Sequence, residues 1–396
     1  MRSRALSGYR REHRRLRRMS HLPILQEGVY YHCPLDLRKR HNLALQCVEG
    51  RGRLRFDFSF PHILHVGVTT YCNLRCPACP TGTRALGRPR QHLEYDVFAR
   101  RVDELRGTLL FMLFWDWGEP LMHPRLVDMI RHARKSSIKT VINSNGTVAN
   151  SEAQIERLVA AGPDLIAVCV DGATQETYER YRMGGKLSDV LMTLERLAWA
   201  KAKQKSARPV VEFRSLATRY NEREMPQLLR LAEETGANFF SVKTLRPYDY
   251  RGHDLDDELV PLDKVLARYA YEEDGKRSVR GRIYDAGPLN CGKPLRAPTL
   301  NADGDLVFCS YARHAEEKFG DVSSASIKRV WRSRSAREKR IRFLVMRGTR
   351  SCERCYFRIA HEPTVLHTVA LDELPPDVAL ERPITKAEFL RVLPAT

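Results

Sequence analysis

The chain has 396 residues, of which 43% are hydrophobic and 29% are charged. This length predicts two to three domains with buried cores, and the composition excludes a peptide, a disordered chain and a short disulfide scaffold. The longest uncharged stretch, residues 58–74, is interrupted by polar residues and falls short of the roughly 20 apolar residues that a membrane span needs. We therefore predict a globular chain without a transmembrane helix.

An excess of basic residues gives the chain a formal net charge of +19. Two segments hold much of it: residues 1–20 carry eight arginines against Glu12, and residues 331–350 carry seven arginines and Lys339 against Glu338. Such a surplus is typical of a solvated basic surface, or of one that attracts nucleic acid, anionic membrane or acidic proteins. The arginine-rich start lacks the apolar core of a secretory signal, so we do not expect export.

Apolar, β-rich runs alternate with amphipathic stretches through the middle of the chain. The strands predicted in this way are 63–69, 109–115, 138–143, 165–170, 209–217 and 239–244. The helices predicted between them are 94–106, 124–135, 151–161, 174–203 and 221–235. Repeated strand-then-helix units imply a parallel sheet with right-handed crossovers, so we expect an α/β layered or barrel-like domain.

The alternation stops after residue 244 and gives way to a charged linker and a cysteine-bearing region. We predict four parts along the chain. They are a basic leader and capping segment over 1–61, a core domain over 62–285, a smaller domain over 286–365 and a surface tail over 366–396.

Three cysteines follow the first predicted strand within eight residues: Cys72, Cys76 and Cys79. Soft thiolates in one loop can converge on a metal centre. A structural zinc requires a closed tetrahedral shell and would need a distant fourth ligand, whereas an iron–sulfur cube held by three cysteines leaves one iron open. The spacing alone therefore indicates a metal site without choosing between these two.

This Cys-x3-Cys-x2-Cys loop resembles the cluster-binding signature of the radical S-adenosylmethionine (radical SAM) enzymes. The resemblance implies a partial (β/α)6 TIM-like barrel, a [4Fe-4S] cluster at Cys72, Cys76 and Cys79, and SAM bound to the open iron. In that family one electron from the reduced cluster cleaves SAM, and the resulting radical removes a hydrogen atom from the substrate.

Further segments resemble the SAM-binding motifs of the same family, and each lies at the end of a predicted strand. The Gly-Glu-Pro motif is implied to hold the SAM ammonium, because a buried cation requires a carboxylate and backbone carbonyls. The Asn145-Gly146 pair is also typical of an ordinary turn. The residues that the resemblance assigns to SAM are Gly118, Glu119, Pro120, Asn143, Ser144, Asn145, Asp171 and Arg214.

Two positions on neighbouring strands leave alternatives open. Arg214 has the geometry for a bidentate contact with the SAM carboxylate, or for an ion pair with Glu212 or Asp171. Cys169 stands where the radical SAM members with a C-terminal SPASM-type domain have serine, which puts in doubt a ribose hydrogen bond from this position.

Four more cysteines lie near the end of the chain: Cys291, Cys309, Cys352 and Cys355. The Asp303-Gly304 pair predicts a hairpin turn that brings the first two together. Four thiolates are a strong metal signal that fits zinc or iron–sulfur. We call Cys72, Cys76 and Cys79 the front cysteines and these four the back cysteines. In a chain that also carries the front cysteines, the pattern of the back cysteines resembles a shortened SPASM domain. The resemblance implies one auxiliary [4Fe-4S] cluster ligated by all four back cysteines.

The resemblance implies a radical SAM oxidoreductase that acts on a small molecule, such as an alcohol or aminocyclitol, or on a peptide, with the auxiliary cluster accepting an electron. Alternatives are a maturase that crosslinks a precursor peptide and an RNA-modifying radical enzyme, whose binding would weaken steeply with salt. Nucleic acid is the less favoured partner. We expect a cytoplasmic protein with an electron donor such as ferredoxin or flavodoxin, because oxygen destroys an open cluster. No catalytic acid or base stands out.

Overall fold

The structure is a computed structural model of the chain. It describes residues 12, 15, 19–50, 58–148, 151–245, 259–267, 271–273, 276–278, 291–312, 317–346, 348–352 and 365–393. The predicted ligand Cys355, most of the predicted linker and most of the basic leader lie outside these residues.

Six parallel strands form the centre of the molecule and confirm the predicted alternation of strands and helices. They pair in chain order. All four residues of the second of these strands are buried. This is expected where helices cover one face of a parallel sheet and other segments of the same chain cover the opposite face. The six strands are β3 (Ile63–Val66), β4 (Phe111–Phe114), β5 (Lys139–Ser144), β6 (Leu165–Cys169), β7 (Val210–Ala217) and β8 (Phe239–Thr244).

The crossover helices follow the prediction at four places and depart from it at one. The predicted helix 174–203 is two helices, α5 (Gln175–Tyr181) and α6 (Leu187–Lys203). Gly184, in the turn between them, has a φ of +84°, a left-handed conformation that a continuing helix does not allow. The other four are α2 (Tyr95–Leu105), α3 (Leu126–Lys135), α4 (Glu152–Ala161) and α7 (Met225–Glu234).

The residues before the barrel form an ordered unit where the sequence predicted only a leader and a short capping segment. Strands β1 (His21–Gln26) and β2 (Val29–Pro34) make a hairpin, and helix α1 (Leu37–Gly50) follows. Tyr31 of this hairpin packs on Phe111, with ring centroids 4.7 Å apart, in an apolar cluster that includes the first residues of several barrel strands. The hairpin therefore covers the face of the sheet opposite the crossover helices, near the strands' N-terminal ends.

Strands from the end of the chain extend the central sheet at both edges. On one side β11 (Thr299–Leu300) pairs in parallel with β3 and continues into β12 (Asp305–Val307) and β13 (Lys318–Asp321). On the other side β14 (Val365–Ala370) pairs antiparallel with β8. The sheet thus contains ten strands among the described residues.

The predicted surface tail is instead part of the fold. Besides β14, strand β15 (Val378–Leu380) joins the N-terminal hairpin, and helix α11 (Lys386–Val392) buries Phe389 completely against Phe240. The prediction failed because strands of six and three residues are too short to show a clear periodicity, and their pairing partners lie far away in the chain.

The remaining elements are short, apart from one helix. They are β9 (Tyr271–Glu273), β10 (Lys276–Ser278), α8 (Lys293–Arg296), α9 (Ile327–Trp331) and α10 (Arg334–Met346). Among the described helices, none combines the length and the apolar character needed to cross a membrane.

Candidate active site

The three front cysteines lie in the loop that follows β3, close to the C-terminal ends of the barrel strands. Cys76 is buried, and Cys72 and Cys79 are half-buried beside it in one packed group with Leu74 and Tyr181. Since the carboxyl ends of parallel strands meet at one edge, this loop faces the other strand-end motifs.

The Gly-Glu-Pro segment after β4 is fastened directly to this loop. The Glu119 backbone N–H donates to the Tyr71 carbonyl at 2.8 Å. At Gly118 a Cβ would lie 2.0 Å from the Thr69 carbonyl oxygen, so no larger residue fits this close approach of two backbones. Pro120 begins a short 3-10 turn. The segment therefore sets the position of the residue that precedes Cys72.

Glu119 is buried and its carboxylate accepts three hydrogen bonds. The donors are the Leu121 backbone N–H at 3.0 Å, the Ser144 hydroxyl at 2.7 Å and the Asn145 backbone N–H at 2.7 Å. Burial raises the pKa of Glu119, and these donors act in the opposite direction. The carboxylate thus ties the end of β4 to the end of β5; its predicted contact with the SAM ammonium stays a prediction.

Asn145 links the end of β5 to the cysteine loop. Its side-chain amide donates to the Asn73 side-chain oxygen at 3.0 Å and approaches the Cys72 sulfur at 3.8 Å. Its own side-chain oxygen accepts from Thr147. The predicted pair Ser144 and Asn145 therefore lies beside the thiols, where a polar ligand of the cluster would be held.

Asp171 is fully buried at the end of β6, and both of its carboxylate oxygens are engaged. One accepts from the Leu216 backbone N–H at 2.7 Å, and the other accepts from the Arg182 Nε at 2.5 Å. Arg182 also directs its Nη1 to the Cys76 sulfur at 3.8 Å. The sequence did not single out Arg182 as a site residue, although it follows the Asp171 motif within the same segment.

Arg214 is held by carboxylates of the protein. Two of its nitrogens donate to the Glu212 carboxylate at 2.7 Å each. The third forms an ion pair at 2.9 Å with Glu27, at the tip of the N-terminal hairpin. Asn143 lies nearby and accepts from the Cys169 thiol at 3.2 Å. Of the two alternatives for Arg214, the structure has the ion pair with Glu212; its contact with SAM stays a prediction, as does that of Asn143.

The front cysteines must lose their thiol protons before they can ligate iron. Burial raises the pKa of Cys72 to about 11 and that of Cys76 to about 12, while Arg182 acts in the opposite direction on Cys76. At neutral pH such thiols are protonated, and iron binding would release the protons. Soft sulfur donors in this number fit an iron–sulfur cluster with one open iron.

Three of the back cysteines line one pocket. Cys291, Cys309 and Cys352 share it with the rings of Phe308 and Phe343. Glu317 lies at the same pocket, and its carboxylate accepts from the hydroxyls of Thr349 and Ser351. The hairpin predicted around Gly304 is present as β11 and β12.

The described cysteines of neither set have the geometry of a single bound ion. Among the described residues no three His, Cys, Asp or Glu side chains approach closely enough to hold one metal ion. An iron–sulfur cube does not require that approach, because its own edges separate the thiolates. None of the nine described cysteines forms a disulfide.

Side-chain hydrogen bonds join the loops that follow β3 and β4 to the loop that carries Cys309. The Trp117 indole donates to the Ser310 carbonyl at 2.5 Å, and Arg88 bridges the Asp116 carboxylate and the Ala312 carbonyl. Burial raises the pKa of Asp116 to about 7, against the effect of Arg88. Among the described residues, the second Asp116 oxygen is buried and has no hydrogen-bond partner. The sequence analysis missed this carboxyl group, although it directly precedes the Trp117-Gly118-Glu119 motif.

Comparison with known proteins accounts for both cysteine regions. Residues 66–232 match the model of the Radical SAM superfamily, and residues 291–356 match SPASM, an iron-sulfur cluster-binding domain. The chain belongs to the radical SAM superfamily of enzymes. A radical SAM domain implies a [4Fe-4S] cluster and SAM, and a SPASM domain binds auxiliary iron–sulfur clusters, so the predicted cofactors are confirmed and zinc is not favoured at the back cysteines.

Curated relatives share part of the chain. An AdoMet-dependent heme synthase of Methanosarcina barkeri is 30% identical over 54% of this chain, and the match covers 58% of that protein. A second relative, from Pyrococcus furiosus, is covered over 51% of its length, so the chain spans little more than half of these two proteins. The mycofactocin maturase MftC of Mycobacterium ulcerans is 26% identical over 67% of this chain and 73% of that protein.

A solved structure confirms the fold class. The structure of SuiB of Streptococcus suis, bound to S-adenosylmethionine, has a TM-score of 0.54 at 13% identity. The match covers 85% of this chain and 81% of SuiB. At this identity the likeness concerns the fold alone.

Proposed function

We propose that this radical SAM protein is an oxidoreductase that removes two electrons from a carbon centre of its substrate. When bound, the front cluster and SAM would supply the radical that takes a hydrogen atom, the auxiliary cluster would accept the remaining electron, and a proton would leave to solvent. The observation that carries the proposal is the attachment of both cysteine regions to one ten-stranded sheet, with a hydrogen bond from Arg88, in the loop after Cys79, to the Ala312 carbonyl, just after Cys309.

The residues of the chain divide the work in this proposal. Cys72, Cys76 and Cys79 would hold the front cluster. Cys291, Cys309 and Cys352, with Cys355 outside the described residues, hold the auxiliary cluster. The polar groups at the strand ends bind and orient SAM.

A peptide is the substrate class that we favour. The names of two relatives, a mycofactocin maturase and a PqqA peptide cyclase, refer to peptide maturation, and the matches cover 67% and 72% of this chain. A small alcohol or aminocyclitol is the other substrate class, since the same loss of two electrons converts an alcohol to a ketone.

An acidic flavodoxin or ferredoxin is the proposed electron donor, and a reducing compartment such as the cytoplasm is the proposed location. Helix α10 presents one side to the back pocket through Phe343. Other residues of the same helix are exposed and combine cations with apolar side chains, which suits an acidic redox partner. These residues are Arg334, Ile341, Arg342, Leu344 and Val345.

The test is anaerobic reconstitution of the full chain with iron and sulfide, followed by SAM and dithionite. We expect about eight irons per chain in the wild type and about four in the Cys72→Ala/Cys76→Ala/Cys79→Ala variant. We expect 5′-deoxyadenosine from the wild type alone. Incubation with candidate peptides and alcohols, followed by mass spectrometry, then looks for a product lighter by two hydrogens.

Several results would contradict the proposal. Bound zinc with no SAM cleavage in either protein would remove the radical chemistry. Four irons in the wild type would remove the auxiliary cluster. SAM cleavage stimulated by RNA, with binding that weakens steeply as salt rises, would assign the chain to RNA modification.

A further inference from the structure

A largely buried arginine contacts the loop that carries the front cysteines. Arg182 lies just after the last residue of α5, and its Nη1 is 3.8 Å from the Cys76 sulfur. Its Nε donates to Asp171 at 2.5 Å. Its side chain is only 15% exposed, so water screens this cation weakly.

The partner of Arg182 is held rigidly. Asp171 has no exposed surface, and its second carboxylate oxygen accepts from the Leu216 backbone N–H at 2.7 Å. Its own carbonyl accepts from the Asn221 side chain at 2.9 Å. Because these contacts fix Asp171, its hydrogen bond holds the Arg182 guanidinium in one orientation. A planar guanidinium that donates to Asp171 through one edge can present another edge to Cys76.

The break between α5 and α6 brings this arginine to the cysteines. The Met183 carbonyl accepts from the Arg75 backbone N–H at 3.0 Å, next to Cys76. At Gly185 a Cβ would lie 3.2 Å from the Leu74 side chain. The turn that interrupts the predicted helix therefore packs against the loop that carries the thiols.

We propose that Arg182, oriented by Asp171, is a positioning residue that donates a charged hydrogen bond to the Cys76 thiolate and raises the reduction potential of the front cluster. This inference rests on the proposed function of the same site. A cation beside a thiolate ligand stabilises the reduced cluster more than the oxidised one, since reduction adds negative charge. Asp171 would then act through Arg182, in place of the SAM contact that the motif implies.

The experiment measures the potential of the front cluster and needs no substrate. The reconstituted full chain is titrated with dithionite under electron paramagnetic resonance, and the front signal is the one that the triple cysteine variant lacks. We expect Arg182→Gln to lower the equilibrium constant for one-electron reduction about tenfold, which is a fall of about 59 mV.

A matched control removes a positive charge two residues earlier, within α5. Arg180 is exposed and pairs with Glu176 at 2.9 Å. We expect Arg180→Gln to keep the reduction equilibrium constant within about twofold of the wild type, because an exposed charge is screened by water.

An unchanged potential in Arg182→Gln, at equal iron content and equal SAM affinity, would overturn the inference. If Arg182→Gln fails to retain the cluster, Arg182→Lys carries the test. An ammonium group keeps the charge but cannot present two fixed edges to Asp171 and Cys76 together, so we expect about a threefold fall, and a wild-type value would overturn the inference. Absence of the front signal from the wild type would instead contradict the proposed function.

Discussion

The two cysteine regions share one sheet but have different surroundings. The front thiols are contacted by a cation and an amide, through Arg182 and Asn145, and lie among loops at the strand ends. The back thiols share a pocket with Phe308 and Phe343, and the nearby carboxylate of Glu317 is engaged by hydroxyl groups. Polar donors suit a cluster that must bind a charged ligand, whereas aromatic walls suit one that only passes an electron.

The largest expected effect concerns the carboxylate that joins the front loops. Glu119→Ala removes the acceptor of three donors, two of them on Ser144 and Asn145. Because buried donors without an acceptor are costly, we expect the free energy of unfolding to fall by about 4 kcal/mol. Anaerobic urea denaturation measures it. Glu119→Gln is the control of equal shape, and a wild-type stability in Glu119→Ala would show that the front loops do not depend on this carboxylate.

The back pocket depends on packing instead. Phe343 is buried and meets Phe308 with ring centroids 6.0 Å apart. We expect Phe343→Ala to lower the free energy of unfolding by about 3 kcal/mol and to reduce the iron content from about eight to about four per chain. Leu344→Ala, at a neighbouring residue that is 50% exposed, is the matched control. Equal iron loss in both variants would break the distinction between the two regions.

The carboxyl group between the regions makes stability depend on pH. Burial raises the pKa of Asp116 to about 7, so the folded protein binds this proton more tightly than the unfolded chain does. The contribution of Asp116 is therefore neutral below about pH 4, becomes more unfavourable as the pH rises, and is constant above about pH 7. From pH 5.5 to pH 8 we expect it to lower the free energy of unfolding by about 2 kcal/mol.

The comparison of wild type with Asp116→Asn isolates this dependence. Urea denaturation at both pH values gives the free energy of unfolding of each protein. The variant lacks the carboxyl group. Between pH 5.5 and pH 8, its free energy of unfolding should therefore fall by about 2 kcal/mol less than that of the wild type. Equal pH dependence in the two proteins would mean that Asp116 ionises as it does in the unfolded chain.

The smallest expected effect lies on the exposed side of α10. Arg334 and Arg342 are exposed. We expect Arg334→Ala/Arg342→Ala to raise the KM for reduced flavodoxin about threefold at low salt, with little effect above about 0.5 M salt, because screening removes steering by surface charges. Arg131→Ala, at an exposed arginine of α3, is the control. An equal change per charge removed in the two proteins would mean that net charge, and not this face of α10, attracts the donor.

The sequence predicts the barrel well because its strands are continuous apolar runs, such as Phe111–Phe114, that local composition reveals. It also locates the cysteine loop and the strand-end motifs. It does not predict that Arg214 pairs with Glu27, since these residues meet only when the hairpin covers the sheet. The contact of Arg182 with Cys76 is of the same kind, because it depends on where a helix breaks.

The two edges of the six-stranded barrel sheet are closed by segments synthesised late. The β3 edge is covered by Thr299–Leu300, and the β8 edge by Val365–Ala370. When the six barrel strands have been synthesised, the backbone groups at both edges of their sheet are therefore still unpaired. Such edges can pair with other chains. During biosynthesis the nascent protein would depend on chaperones until these strands emerge, and truncation before residue 365 should yield aggregates.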